Sequence, residues 1–290
     1  MTYSEIWHRI ATSYDDGEAR AIARILIEEL FGLSYADIVC GATEQLSADD
    51  TLRLDTAVRR IEQGEPLQHV LGYADFCGNR FSVNSSVLIP RPETEWLVDE
   101  GAKLMSTTAT SSPKRILDIG TGSGCIAISL KLRLGDAYVE AWDISEEALR
   151  TAQDNADALK AEVVFIKRDA LRADNTAAPW DLIVSNPPYI CDSERSAMDD
   201  NVLLHEPHTA LFVPDDDPLR FYRAIARYAL LTLNIGGSLL FECNTRYAEA
   251  TGKMLSDMGF EEVTVSDDCF GLPRFVRGSS PSQPSPSGRA

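Results

Sequence analysis

Asn186-Pro187-Pro188-Tyr189 brings together, within four residues, an amide oxygen, two stiffened backbone positions and an aromatic ring. That set suits a planar nitrogen. An amide or amino nitrogen attached to a π-system is a poor nucleophile because its lone pair is delocalised. Transfer of a small electrophilic group to it needs the nitrogen held in line, with its N–H groups engaged by acceptors. The Asn186 side-chain oxygen and the Pro187 carbonyl supply two convergent acceptors, and Tyr189 offers a face for stacking. Pro187 and Pro188 each fix φ and restrict the residue before them. Catalysis by such a loop is mostly proximity and orientation, without a covalent intermediate. By itself the tetrapeptide leaves amide and exocyclic amino nitrogens equally open.

A second constellation lies upstream, at Asp118-Ile119-Gly120-Thr121-Gly122-Ser123-Gly124. It follows an apolar run and opens a helical stretch, where glycines allow a sharp turn and the approach of a ligand to bare backbone. The spacing is G-x-G-x-G, not the G-x-G-x-x-G that seats a pyrophosphate on a helix N-terminus. Asp118 stands just before the first glycine, badly placed beside a diphosphate but well placed beside the cationic amino group of a methionine moiety. Asp143 ends the next apolar run and can accept from both hydroxyls of a ribose. Asp169 ends the third and can accept from an adenine amino group. Three acids at three successive strand ends favour S-adenosylmethionine (SAM) over a nicotinamide dinucleotide, with Asp118, Gly120, Thr121, Gly122, Ser123, Gly124, Asp143 and Asp169 as the cofactor-binding set. The transferred group is then a methyl, and Asn186, Pro187 and Tyr189 are the expected catalytic residues, with Pro188 beside them against the substrate.

The elements that must position these residues follow from hydrophobic period. KRILDIG, AYVEAWDI, EVVFIKRD, DLIVSN and GGSLLFEC are short apolar runs with the pattern of buried strands, and 124–134, 146–160 and 218–233 have the pattern of helices between them. That alternation predicts an α/β domain with a mostly parallel sheet. The tetrapeptide then falls at the carboxyl end of the fourth strand, the edge where open α/β sheets bind ligands. Ahead of it, Ile6 and Ile10, Ile22, Leu26 and Leu30, and Leu54, Val58 and Ile61 recur at helical spacing. Asp15, Asp16, Ser34 and Ser47 stand where N-caps belong, and Gly32 and Gly64 where helices end. Residues 67–89 mix β-formers around a Gly78-Asn79 turn, predicting a β-hairpin. The expected organisation is a helical, substrate-docking domain at 1–66, a β-hairpin linker at 67–90, a methyltransferase domain at 91–277 and a disordered Ser/Pro-rich tail at 278–290.

The chain has 290 residues and a formal net charge of −18. An acidic surface repels phosphate backbones, and no local basic patch offsets it, so direct nucleic-acid binding is not expected. Six cysteines stand singly without a C-x-x-C pair, fitting reduced thiols in the cytoplasm. No membrane span is expected, because no long apolar run occurs. His205 and His208 are separated by Pro207, and no further ligand completes a set, so no metal is expected.

The chain resembles the bacterial peptide chain release factor N5-glutamine methyltransferases (HemK type) through nearly its whole length, to about Arg277. Gly64-Glu65-Pro66-Leu67-Gln68-His69-Val70-Leu71-Gly72 is similar to the family's interdomain stretch, and Leu88-Ile89-Pro90-Arg91-Pro92-Glu93-Thr94-Glu95 to its most distinctive segment. His205-Glu206-Pro207 with Ala210-Leu211 resembles a later signature. The resemblance implies a Rossmann-like class I SAM methyltransferase domain, preceded by a small helical bundle and a β-hairpin linker. It implies methylation of the glutamine amide in the Gly-Gly-Gln motif of class 1 release factors, with SAM on Gly120 to Gly124 and Asp143, and the glutamine on Asn186 to Tyr189. Adenine-N6 nucleic-acid methyltransferases share only the Asn-Pro-Pro-Tyr element. A related glutamine methyltransferase of a ribosomal protein typically has Ser rather than Glu near Pro-Arg-x. The chain departs from its family at Glu242-Cys243-Asn244, where Glu-x-Gly is usual, and at Ala170, where some members carry an aromatic.

Overall fold

The computed structural model describes residues 1–107, 113–173 and 179–282. The chain divides into two compact units. One comprises Met1–Tyr73 with Met198–Glu206; the other runs from Ala74 to Ala197 and from Pro207 onward.

The first unit is helical, with α1 at Tyr3–Ile10, α2 at Asp16–Phe31, α3 at Tyr35–Val39, α4 at Ala48–Glu62 and α5 at Leu67–Leu71. Its core is the set the helical period marks: Ile6, Ile10, Ile22, Leu26, Leu54, Val58 and Ile61 are all buried in one cluster. Each such side chain stabilises the fold by about 1.5–3 kcal/mol relative to exposure. The caps sit at the expected polar residues. Asp15 accepts from the Gly17 and Glu18 amides, Ser34 from Asp37 and Ser47 from Asp50, whereas Asp16 lies inside the first turn of α2. Gly32 closes α2 at φ +67, a conformation that favours glycine. The short helix Asp200–His205, far along the chain, also belongs to this unit.

The hairpin expected over 67–90 is smaller than its composition implied. Leu67–Leu71 is helix, and only β1 (Tyr73–Phe76) and β2 (Asn79–Ser82) pair. The turn rests on Cys77 and Gly78, at φ +48 and +74, rather than on Gly78-Asn79. Two positive φ values match the twist of the flanking strands. Phe76 and Phe81 are buried with Leu97, Val98 and Met105, so the hairpin is part of the second unit's core.

The second unit is built on a seven-stranded sheet. Its strands are β3 (Arg115–Ile119), β4 (Tyr138–Asp143), β5 (Val163–Lys167), β6 (Trp180–Ser185), β9 (Leu233–Glu242), β10 (Glu261–Asp267) and β11 (Pro273–Ser279), in the order β10-β11-β9-β6-β3-β4-β5, while β7 (Ile190–Cys191) and β8 (Phe212–Val213) pair separately. β5, β4, β3, β6 and β9 are parallel; β11 and β10 are antiparallel additions. Strand side chains alternate between faces. Ile116, Val139, Leu182 and Leu240 pack with α6 (Glu95–Thr107) and α7 (Cys125–Leu134). Leu117, Ile183, Leu239 and Phe241 pack on the opposite face with the helices Arg220–Thr232 and Ala248–Met258. The tail expected to be disordered from 278 begins inside β11, where Phe275 to Ser279 pair with Glu242 to Ser238. With β10 on its other side, both backbone edges of β11 are paired, which overrides the Gly/Ser composition. Residues 283–290 lie outside the described residues.

The strand order reverses between β3 and β6. Ligands of open α/β sheets sit at the carboxyl end of such a switch point.

Candidate functional site

A cavity of ≈ 370 Å³ opens at that point, lined from the carboxyl ends of β3 and β6 and the segments following β4 and β5. The loop after β3 is drawn under β4: the amides of Gly120 and Thr121 both donate to the Trp142 carbonyl at 2.9 Å. Gly120, Gly122 and Gly124 have φ of +77, +54 and +82, which L side chains rarely adopt. They are needed for different reasons. A Cβ on Gly122 would meet nothing within 4 Å, so that glycine leaves bare backbone at the cavity wall. A Cβ on Gly124 would come within 2.9 Å of Ile128 Cδ1 and 3.1 Å of Ala152 Cβ, so that glycine lets α7 pack on α8 (Glu146–Leu159). From α8, buried Asn155 donates to the carbonyls of Ser123, at 2.9 Å, and Ser82, and accepts from the Ser82 amide at 2.7 Å.

Of the expected cofactor residues, Gly120, Thr121, Gly122, Ser123, Asp143 and Asp169 line the cavity. Asp143 accepts from the Gly122 amide through Oδ2 and from the Ser145 amide through Oδ1, both at 2.9 Å. Burial raises its carboxyl above the ordinary value, against the pull of these backbone donors. Asp169 caps a short turn, with Oδ1 accepting from the Leu171 amide at 2.9 Å. Asp118 and Gly124 do not reach the cavity wall. Asp118 shares strand parity with Ile116, so it points into the layer covered by α6 and α7 and is fully buried. Its Oδ2 accepts from Thr121 Oγ1 at 2.6 Å, and Oδ1 has no hydrogen-bond partner among the described residues. Burial pushes its carboxyl up to about 7, opposed by the Thr121 hydroxyl and the Ala127 backbone. Asp118, expected beside a bound amino group, thus lies behind the loop and braces it through Thr121.

Ser185 ends β6 by donating to the Ile119 carbonyl at 2.6 Å, tying β6 to β3 where the two loops leave the sheet. Asn186, Pro187 and Pro188 then line the cavity. The Cβ position on Gly120 lies 3.9 Å from the Asn186 carbonyl oxygen, so the two motifs meet there. Tyr189 is not among the lining residues. Its hydroxyl donates to Glu242 Oε1 at 3.2 Å, and burial, with the neighbouring Glu242 carboxylate, raises its pKa. Tyr189, expected to stack on the substrate, is held by Glu242, and Phe212 and Phe221 present aromatic rings at the cavity wall.

Thr94 and Glu242 were not singled out by sequence spacing. Thr94 Oγ1 donates to Glu242 Oε2 at 2.7 Å, and Asn186 Nδ2 donates to Thr94 Oγ1 at 3.4 Å. Burial raises the Glu242 carboxyl, while the Thr94 and Tyr189 hydroxyls and Arg274 favour its charge. The available signal was an acid closing the apolar run GGSLLFE and a threonine within Ile-Pro-Arg-Pro-Glu-Thr-Glu. Asn244, one of the departures from the family pattern, donates from Nδ2 to the Tyr189 carbonyl at 3.3 Å and to Glu194 Oε2 at 3.2 Å, holding the far end of the tetrapeptide. Ala170, the other, lies at the cavity wall.

Residues 8–72 match the PrmC N-terminal domain and residues 95–211 the methyltransferase small domain. A release factor glutamine methyltransferase of Bacteroides thetaiotaomicron is 44% identical over 264 residues, covering 91% of this chain and 93% of that protein. One of Flavobacterium psychrophilum is 38% identical, covering 92% and 94%. Among solved structures, the hMettl16 catalytic domain superposes with a TM-score of 0.55 at 18% identity, covering 82% of this chain and 84% of that one. A methyltransferase from Pyrococcus furiosus gives 0.51 at 13%, covering 81% and 100%. These two establish a shared Rossmann-like methyltransferase fold. With relatives this similar matched along nine-tenths of both chains, the protein belongs to the release factor glutamine methyltransferase family.

Proposed function

We propose that the protein transfers a methyl group from SAM to the side-chain amide nitrogen of the glutamine in the Gly-Gly-Gln motif of class 1 peptide chain release factors. The observation that carries the site assignment is the meeting of Gly120 and Asn186 at one cavity wall. A cofactor loop and an amide-holding loop are there within reach of one another.

The cavity fits SAM. Gly122 leaves bare backbone, Asp143 has acceptor capacity for ribose hydroxyls, and Asp169 can accept from an adenine amino group. When bound, SAM supplies an electrophilic methyl on a sulfonium and would leave as S-adenosyl-L-homocysteine, while the substrate amide gives up one N–H proton to solvent. The protein's own part is placement. Asn186 Oδ1 and the Pro187 carbonyl accept from the two N–H groups of the glutamine amide and turn its nitrogen toward the methyl. Pro187 and Pro188 keep that loop stiff. Tyr189, bound to Glu242, anchors its end. The helical unit docks the release factor. The six unpaired thiols suit a reducing cytoplasm as the place of action.

Methyl-tritiated SAM incubated with the protein and a class 1 release factor is expected to label the release factor. Replacement of the Gly-Gly-Gln glutamine should abolish labelling. Label on DNA with none on the release factor would overturn the assignment in favour of an adenine-N6 methyltransferase.

A further inference from the structure

The hydrogen bonds joining Glu242, Thr94 and Asn186 have a direction. Both carboxylate oxygens of Glu242 receive a hydroxyl, Oε2 from Thr94 at 2.7 Å and Oε1 from Tyr189 at 3.2 Å. Burial raises the Glu242 carboxyl, but the two hydroxyls and Arg274 favour its charge, and in the ionised form a carboxylate only accepts. The single O–H of Thr94 is therefore committed to Glu242, and its oxygen is left to accept from Asn186 Nδ2 at 3.4 Å. Thr94 is 3% exposed and Glu242 1%, so both partners of this bond are buried.

We propose that Thr94 and Glu242 are positioning residues that orient the Asn186 amide, so that its Oδ1 and not its NH₂ faces the N–H groups of the substrate. Rotating the amide by half a turn would set Oδ1 against the Thr94 oxygen with no hydrogen between them. It would also turn an NH₂ group toward the NH₂ of the substrate. The buried acid at the end of β9 thus fixes hydrogen-bond polarity two residues away from it in the chain of contacts. This assigns a task to the threonine of Ile-Pro-Arg-Pro-Glu-Thr-Glu, and it rests on the methyl-transfer function proposed above.

The test compares Thr94→Val, which keeps shape but removes the hydroxyl, with Thr94→Ser, which keeps the hydroxyl. Single-turnover methylation of a release factor and SAM affinity are measured on each. Thr94→Val is expected to slow methyl transfer by about 10²-fold through misorientation, with SAM affinity within about threefold of wild type. Thr94→Ser should stay within about fivefold of the wild-type rate, because the hydrogen-bond relay is retained. In an Asn186→Ala background, Thr94→Val should cost less than about threefold more, since residues acting as one unit are not additive. A wild-type rate in Thr94→Val, an equal loss in Thr94→Ser, a parallel loss of SAM binding, or full additivity with Asn186→Ala would each overturn the proposal. Label transfer by the wild-type protein in the same assay reports separately on the methyl-transfer function.

Discussion

The amide of Gly122 donates to Asp143 at 2.9 Å, so the acid at the end of β4 holds the glycine loop as well as facing the cavity. Its other oxygen receives the Ser145 amide at the start of α8. Asp143→Ala removes these two charge-assisted bonds along with any ligand contact, and SAM affinity is expected to fall by about 10²-fold or more. Asp143→Asn should fall between, because its NH₂ faces a backbone donor. Calorimetric titration with SAM checks this; an alanine variant binding within a few-fold of wild type would count against Asp143 as the ribose acceptor.

Asn186→Ala should do the reverse. In the proposed function the side chain contributes an acceptor to the substrate amide but no support to the glycine loop. Methyl transfer is expected to drop by about 10²–10³-fold, as for loss of a positioned polar group, with SAM affinity changed only a few-fold. Rapid-quench single-turnover rates and SAM titration on one preparation separate the two quantities. Parallel loss of both would place Asn186 in the cofactor site instead.

Gly122→Ala and Gly124→Ala should fail differently. Each forces alanine into the left-handed region, at a cost of about 1–2 kcal/mol. At Gly122 the new methyl enters open space at the cavity wall, so the main effect is weaker SAM binding. At Gly124 it collides with Ile128 and Ala152, so the main effect is a lower melting temperature. Melting curves with and without SAM distinguish them, and equal behaviour of the two variants would refute the distinction.

Asp118 makes stability depend on pH. Folded, its carboxyl keeps a proton up to about pH 7; the ordinary value, which the unfolded chain approaches, is 3.8. Between these values the folded state binds more protons, so stability falls as pH rises through that window. Asp118→Asn lacks this titration. Relative to wild type, the variant should gain roughly 2–3 kcal/mol between pH 5 and pH 8. Denaturation of both proteins without SAM at several pH values tests it, and a constant difference would show that Asp118 ionises freely.

Local signals sufficed for much of this molecule. The helical period of Ile22, Leu26, Leu54, Val58 and Ile61 marks the core of the first unit, and Asp15, Ser34 and Ser47 cap helices because a side-chain oxygen satisfies amides two or three residues on. The G-x-G-x-G loop and the Asn-Pro-Pro-Tyr turn are each a contiguous segment, so both could be located in the sequence. Their placement at the carboxyl edge of a parallel sheet followed from alternating strand and helix patterns. What depends on partners distant in sequence was decided by tertiary structure alone. Strand parity and the covering helices, not the nearness of Asp118 to the glycines, send that acid into the core. Arg277 to Ser279 form a strand because β9 and β10 offer paired edges, whatever their composition. Thr94 and Glu242, 148 residues apart, meet only when the turn leading into α6 packs on β9 in one unit. Sequence determines which groups are available and what local geometry they prefer; which of them share a cavity is set by packing, because burial and hydrogen-bond partners belong to the folded arrangement as a whole.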